Sequence, residues 1–170
     1  IEQIISENEK IFISTHINPD GDSLGSAFAM YHYLKKIGKD CRIINHSEVP
    51  LVYSFLNEKE IFNEINDENI AFIKNADLGI ILDIGDFYRL GEVANIIENT
   101  TVETINIDHH SLTENDFFTH NFINLEASSV GEILYSYFLS LGNDIIDKEM
   151  MLGIYTAVLT DTGSFRFSNT

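Results

Sequence analysis

Aspartate and histidine gather in four separated stretches of this chain: His16-Ile17-Asn18-Pro19-Asp20-Gly21-Asp22-Ser23, Asp83, Asp108-His109-His110, and Asp161-Thr162-Gly163-Ser164-Phe165-Arg166. Carboxylate oxygens and imidazole nitrogens suit divalent cations such as Mn²⁺ and Mg²⁺. A thiolate zinc site and an internal disulfide are both excluded, because Cys41 is the only cysteine. If Asp20, Asp22, Asp83 and Asp161 meet, four negative charges meet, and they cannot all stay ionised without compensation. Two divalent cations would balance them. Pro19 and Gly21 favour a sharp turn that could aim Asp20 and Asp22 at neighbouring ions. The small residues Gly25, Ser26 and Ala27 predict a helix start that a phosphate can approach closely, with N–H groups facing the anion.

Elements must hold these residues in place. Residues 11–15 read as a buried strand and 41–45 as a second. Between them, Leu24, Ala27, Phe28, Tyr31, Leu34 and Ile37 recur at helical spacing, which predicts a helix over 22–37 closed by Gly38. Short helices are expected over 49–61 and 67–74. Residues 78–82 form an unbroken apolar run, the mark of a strand covered on both faces. A further strand over 104–107 and helices over 129–141 and 148–159 complete the pattern. Strands alternating with helices predict an α/β domain with a doubly wound, mostly parallel sheet and helices on both faces. Function in such sheets gathers beyond the carboxyl ends of the strands. Three of the four stretches follow predicted strand ends, and the fourth follows the last helix.

The combination of these motifs resembles the DHH phosphoesterases, and within them the nanoRNase/pAp-phosphatase branch. The resemblance runs from Ile11 onward. It implies that His16, Asp20 and Asp83 hold one ion and that Asp22, Asp83, His109 and Asp161 hold the other, with Asp83 bridging. Asp108 would fix an imidazole, and His110 would face the substrate phosphate and protonate the leaving group. Arg166, Arg89 and Ser129 are candidate substrate contacts, although a structural ion pair is an alternative for Arg89 and a helix cap for Ser129. The implied reaction is in-line attack of a metal-activated water on phosphorus. Implied substrates are short RNA, 3′,5′-bisphosphate nucleotides such as pAp, and linear or cyclic dinucleotides; other branches cut single-stranded DNA, polyphosphate or pyrophosphate. The cofactors would be two divalent cations, Mn²⁺ before Mg²⁺. The family pattern also implies that residues 1–170 are the DHH catalytic domain and that a C-terminal substrate-binding domain, expected beyond residue 170, is absent from this chain.

Other readings fare less well on the residues. Gly21-Asp22-Ser23-Leu24-Gly25 matches both the nucleophile elbow and the GDSL esterase block. Ser23, however, lies eight residues past the strand end, and the late Asp-x-x-His of those esterases does not occur. An EF-hand loop starting at Asp20 fails at Leu24 and Tyr31. A metal or nucleotide sensor without turnover remains a separate class. His32, His46 and His120 fall outside the constellation, His32 within a helix and the other two in loops or at the surface. The net charge of −17 argues against stable binding of duplex DNA, since affinity for phosphate backbones comes mostly from Lys and Arg. No apolar run approaches the roughly 20 residues of a membrane span, so no membrane partner is expected. The lone cysteine and the lack of a leader sequence point to the cytoplasm. The expected partner is a short RNA or nucleotide substrate, with a homodimer left open.

Overall fold

A computed structural model of the chain describes residues 1–111, 117–142 and 144–169. Its helices are α1 (Glu2–Glu7), α2 (Gly21–Lys36), α3 (Asp67–Lys74), α4 (Glu92–Glu98), α5 (Val130–Leu141) and α6 (Lys148–Asp161). Its strands are β1 (Lys10–Thr15), β2 (Asp40–Asn45), β3 (Phe62–Glu64), β4 (Leu78–Leu82), β5 (Glu103–Asp108) and β6 (His120–Ile123). The six strands pair in the order β3-β2-β1-β4-β5-β6, and every pairing is parallel. The order reverses between β1 and β4, the switch point where doubly wound sheets place their sites. Among the described residues, no helix is long and apolar enough to cross a membrane.

Side chains alternate across each strand, and β1 shows the consequence. Ile11 and Ile13 face a core shared with Ala27 and Met30 of α2, Leu134 and Phe138 of α5, and Ile154 of α6. Phe12 faces the opposite core, with Phe72 and Ile73 of α3 and Val93 and Ile97 of α4. Sandwiched between two apolar layers, β4 is buried at every position, which explains its unbroken apolar run.

The strands and long helices lie where the apolar pattern puts them. The expected helix over 49–61 is a correction: only Leu51–Leu56 coils, as a 3-10 turn entered from Pro50, and the chain then extends into β3. The pattern also misses α1, α4, β3 and β6, which are too short to display a period. His120, expected in a loop or at the surface, lies in the edge strand β6 with its side chain partly exposed; this strand is half-buried throughout, so no apolar face marks it.

Backbones approach closely where α2 crosses α6. A Cβ on Gly25 would lie 2.4 Å from the Gly153 carbonyl oxygen, and a Cβ on Gly153 would lie 2.4 Å from that of Gly25. Glycine is required on both sides of this contact. Gly131 of α5 likewise has room for no Cβ, because Ala157 of α6 fills that space. The three helices thereby lock into one layer and carry Asp22, Ser129 and Asp161 to the same end of the sheet. This packing also corrects the expectation for Gly25, Ser26 and Ala27: all three are buried, with Gly25 against Gly153 and Ala157 of α6, and no phosphate can reach them. Gly153→Ala should therefore cost about 1–3 kcal/mol, the usual range for overpacking, read as a lower urea midpoint. An unchanged midpoint would mean that the helices can part without loss.

Candidate metal centre

His16 follows β1, Asp83 follows β4 and Asp108 ends β5, three neighbouring strands at the switch point. Asp20 caps α2 and Asp22 lies in its first turn, while Asp161 closes α6. Two groups of ligand atoms result. His16 Nε2 lies 3.8 Å from Asp20 Oδ1 and 3.6 Å from Asp83 Oδ2. His109 Nε2 lies 3.6 Å from Asp22 Oδ2, 3.5 Å from Asp161 Oδ2 and 3.8 Å from Asp83 Oδ1. Asp83 thus turns one oxygen to each group. Its backbone is left-handed, with φ 59°, a conformation aspartate tolerates better than most residues. Its N–H donates to the Ile107 carbonyl.

Both imidazoles are oriented from behind. His16 Nδ1 is 2.8 Å from the Ile17 carbonyl, and His109 Nδ1 is 3.2 Å from that of Ala127. A carbonyl can only accept, so each Nδ1 carries a proton and each Nε2 is the nitrogen that faces the carboxylates, the one a cation would take in place of a proton. A second group holding the outer nitrogen is the usual arrangement for metal-bound histidine. His109 Nε2 is buried and has no hydrogen-bond partner among the described residues. Such an orphan needs an explanation, and a cation among Asp22, Asp83 and Asp161 would supply one.

Charge crowding shifts the protein's own titrations. Burial pushes the Asp22 carboxyl well up, and the Asp83 charge adds to the shift against the N–H groups of Val130 and Gly131. Burial also raises Asp161, with Asp83 and Asp20 contributing. For His16 burial acts downward, but Asp20 and Asp83 outweigh it and push the imidazole up to about 10. Burial would raise Asp20; its bonds with His16 and Ser23 win and bring it down to about 2. In the protein alone, protons thus supply the positive charge that divalent cations could supply instead.

Asp108 is fully buried and saturated with donors. Its Oδ2 accepts the N–H groups of Ile84, at 2.9 Å, and Gly85; its Oδ1 accepts those of His109, at 2.7 Å, and His110, at 3.0 Å. His110 Nδ1 adds a fifth bond at 2.9 Å to Oδ1. Burial alone would raise this carboxyl, but the bonds from His110 and the backbone lower it. Asp108 therefore has little capacity left for a metal; it ties the turn after Asp83 to the two histidines. The Asp108 bond raises His110, whose side chain is half exposed.

The sequence candidates for substrate contact divide. Ser129 is fully buried, and its hydroxyl accepts the Glu132 N–H as the cap of α5; this corrects its candidacy as a substrate contact. It acts by fixing the α5 N-terminus, whose Val130 and Gly131 N–H groups hold Asp22 at 2.8 and 3.0 Å. Arg89 and Arg166 are both exposed. The ion pair considered for Arg89 does not form among the described residues; its Nη1 lies 3.5 Å from the Ile84 carbonyl. Ser23 is buried in a reciprocal cap with Asp20, which leaves no exposed nucleophile for the esterase reading. Sequence reasoning missed Ser26 as a support: its hydroxyl donates to Asp22 at 3.1 Å, and the i,i+4 spacing was the available signal. The supporting carbonyls of Ile17 and Ala127 leave no such trace.

A fully parallel, doubly wound domain with two carboxylate–imidazole groups sharing one aspartate is of a class built to gather divalent cations. Over residues 10–159 it matches the DHH family, N-terminal domain, and the chain belongs to that family. It is 32 % identical over 94 % of its length to the bifunctional oligoribonuclease and PAP phosphatase NrnA of Thermus thermophilus, covering 45 % of that protein. It is 30 % identical over 90 % of its length to a probable manganese-dependent inorganic pyrophosphatase of Oceanobacillus iheyensis, covering 48 % of it. An exopolyphosphatase-related protein of Bacteroides fragilis superimposes with a TM-score of 0.92 at 28 % identity, over 99 % of this chain and 51 % of the other. The chain thus spans about half the length of the curated relatives it matches.

Asp108→Asn offers a test of the buried carboxylate. An amide turns an NH₂ group toward two of the backbone donors whichever way it sits, so donor faces donor. The cost should be about 1–3 kcal/mol, as for a buried unsatisfied group, measured by urea unfolding without metal. No loss would show that these bonds do not hold the turn after Asp83.

Proposed function

We propose that this domain carries the two-cation centre of a phosphoesterase acting on short oligoribonucleotides and 3′,5′-bisphosphate nucleotides. The observation that carries the reading is the buried, unpartnered His109 Nε2 facing Asp22, Asp83 and Asp161, beside a second group that shares Asp83. In this reading His16, Asp20 and Asp83 hold one cation, and Asp22, Asp83, His109 and Asp161 hold the other. Mn²⁺ is the first choice and Mg²⁺ the second. When bound, such cations polarise phosphoryl oxygens and lower the pKa of water.

The chain's own residues do the rest. Asp83 joins the two sites, so its charge is felt in both. Asp108 holds the turn after Asp83 and the His110 ring in one arrangement. His110 Nε2 has no partner among the described residues, and its side chain is 51 % exposed. It can therefore meet a substrate and pass a proton to the departing oxygen, as positioned general acids do. Arg166, seven positions after Leu159 on the turn that follows α6, is a further proposed phosphate contact.

The substrate assignment rests on likeness to the oligoribonuclease and PAP phosphatase, and the pyrophosphatase relative makes pyrophosphate the comparison that matters. The test is hydrolysis of pAp, the dinucleotide pApA, pyrophosphate and short single-stranded DNA with Mn²⁺, by wild type and Asp83→Asn in the full-length protein. Wild type should prefer pAp and pApA, and Asp83→Asn should lose nearly all turnover. Preference for pyrophosphate would move the assignment to that branch. Near-normal turnover by Asp83→Asn would remove Asp83 as the shared ligand.

A further inference from the structure

We propose that Arg89 is the residue that grips a phosphoryl group beside Asp83, using its guanidinium fork on two non-bridging oxygens. The inference rests on the phosphoesterase reading above and adds a substrate-binding residue to the same site.

Placement is the first argument. The chain has ten cationic side chains against 27 acidic ones. In a parallel α/β domain, helix C-termini share one end of the sheet with strand N-termini, and the site occupies the other end. Lys10 opens β1, Lys36 and Lys74 close α2 and α3, and Lys148 opens α6. All of these lie at the end remote from the metal centre. Lys36 confirms it by reaching Asp147, the cap of α6, at 3.9 Å. Arg89, by contrast, lies in the 3-10 turn Phe87–Leu90 directly after the Asp83 turn.

The second argument is that the position is fixed while the charge is left free. The Arg89 carbonyl accepts the Ile17 N–H at 2.7 Å, which ties the residue to the segment carrying His16. Its Nη1 leans on the Ile84 carbonyl at 3.5 Å, one residue from Asp83. Gly85, the next residue, lies against His110: a Cβ there would be 3.4 Å from His110 Cβ. Arg89 is thus flanked by the segments of His16, Asp83 and His110. Yet no carboxylate pairs with it among the described residues, although acidic groups outnumber basic ones. Arg42 shows the ordinary outcome, pairing with Glu68 at 2.8 Å. An exposed arginine held by its backbone and unpaired, at the rim of an acidic centre, suits an incoming anion. Arginine meets phosphate through two parallel bonds, a geometry that lysine cannot reproduce.

The experiment is calorimetric titration of inorganic phosphate into the Mn²⁺-loaded full-length protein as wild type, Arg89→Ala, Arg89→Lys and Lys74→Ala. Lys74→Ala removes one charge from the remote end. Charge-assisted bonds are worth enough that Arg89→Ala should weaken phosphate binding roughly 10- to 100-fold. Arg89→Lys should fall between it and wild type, and Lys74→Ala should match wild type. Thermal midpoints and Mn²⁺ affinity should be unchanged in Arg89→Ala, because the backbone bond to Ile17 survives. Equal phosphate affinity in wild type and Arg89→Ala, or an equal loss in Lys74→Ala, overturns the inference. If binding depends on Arg89 while no phosphoester is cleaved, the inference stands and the proposed function fails.

Discussion

Five carboxylates, those of Asp20, Asp22, Asp83, Asp108 and Asp161, meet at one end of the sheet, and their mutual repulsion is the constraint that the surrounding structure answers. It answers differently at each position. Asp108 is neutralised by five donors, four of them from the backbone. Asp22 receives the α5 N-terminus and the Ser26 hydroxyl, and a helix N-terminus favours negative charge. Asp20 is held by the Ser23 N–H it caps. Asp83 has no such support from its own turn; its oxygens face His16, His109 and His110. Asp161 faces only His109, so the two carboxylates without hydrogen-bond donors of their own among the described residues both border the ligand atoms, where cations would act most strongly.

That arrangement depends on helix packing some distance away. Asp22 and Asp161 belong to α2 and α6, and their separation is set where Gly25 meets Gly153. A larger residue there would push apart two elements that each deliver a carboxylate. Gly21 makes the same point nearer the site, since a Cβ on it would lie 2.4 Å from Thr160, the residue before Asp161. Gly25, which sequence reading assigned to phosphate approach, serves instead to bring two helices together.

Much of the site was legible in the sequence because chemistry and topology pointed the same way. Strands β1 and β4 carry apolar runs and β5 alternates Ile105 and Ile107, and each runs into an Asp or a His, so the strand ends that bear the site were marked in the sequence, while the strand order that makes them neighbours was not. The short edge strands β3 and β6 were not legible, since half-buried residues such as His120 and Asn121 carry no period-2 pattern. Backbone groups were not legible either. Nothing in the residue types says that Ala127 orients His109 or that Ile17 orients His16. Ser129 illustrates a mixed outcome: its type signalled a cap, which it is, while its nearness to the site suggested a substrate contact that its burial excludes.

The central claim is that Asp83 joins two cation sites into one centre. Electron paramagnetic resonance of the protein titrated with Mn²⁺ tests it most directly, because two ions sharing a carboxylate couple magnetically. The account predicts that the second equivalent of Mn²⁺ produces an exchange-coupled spectrum in the wild-type protein. A spectrum of isolated, uncoupled Mn²⁺ at every loading would contradict it.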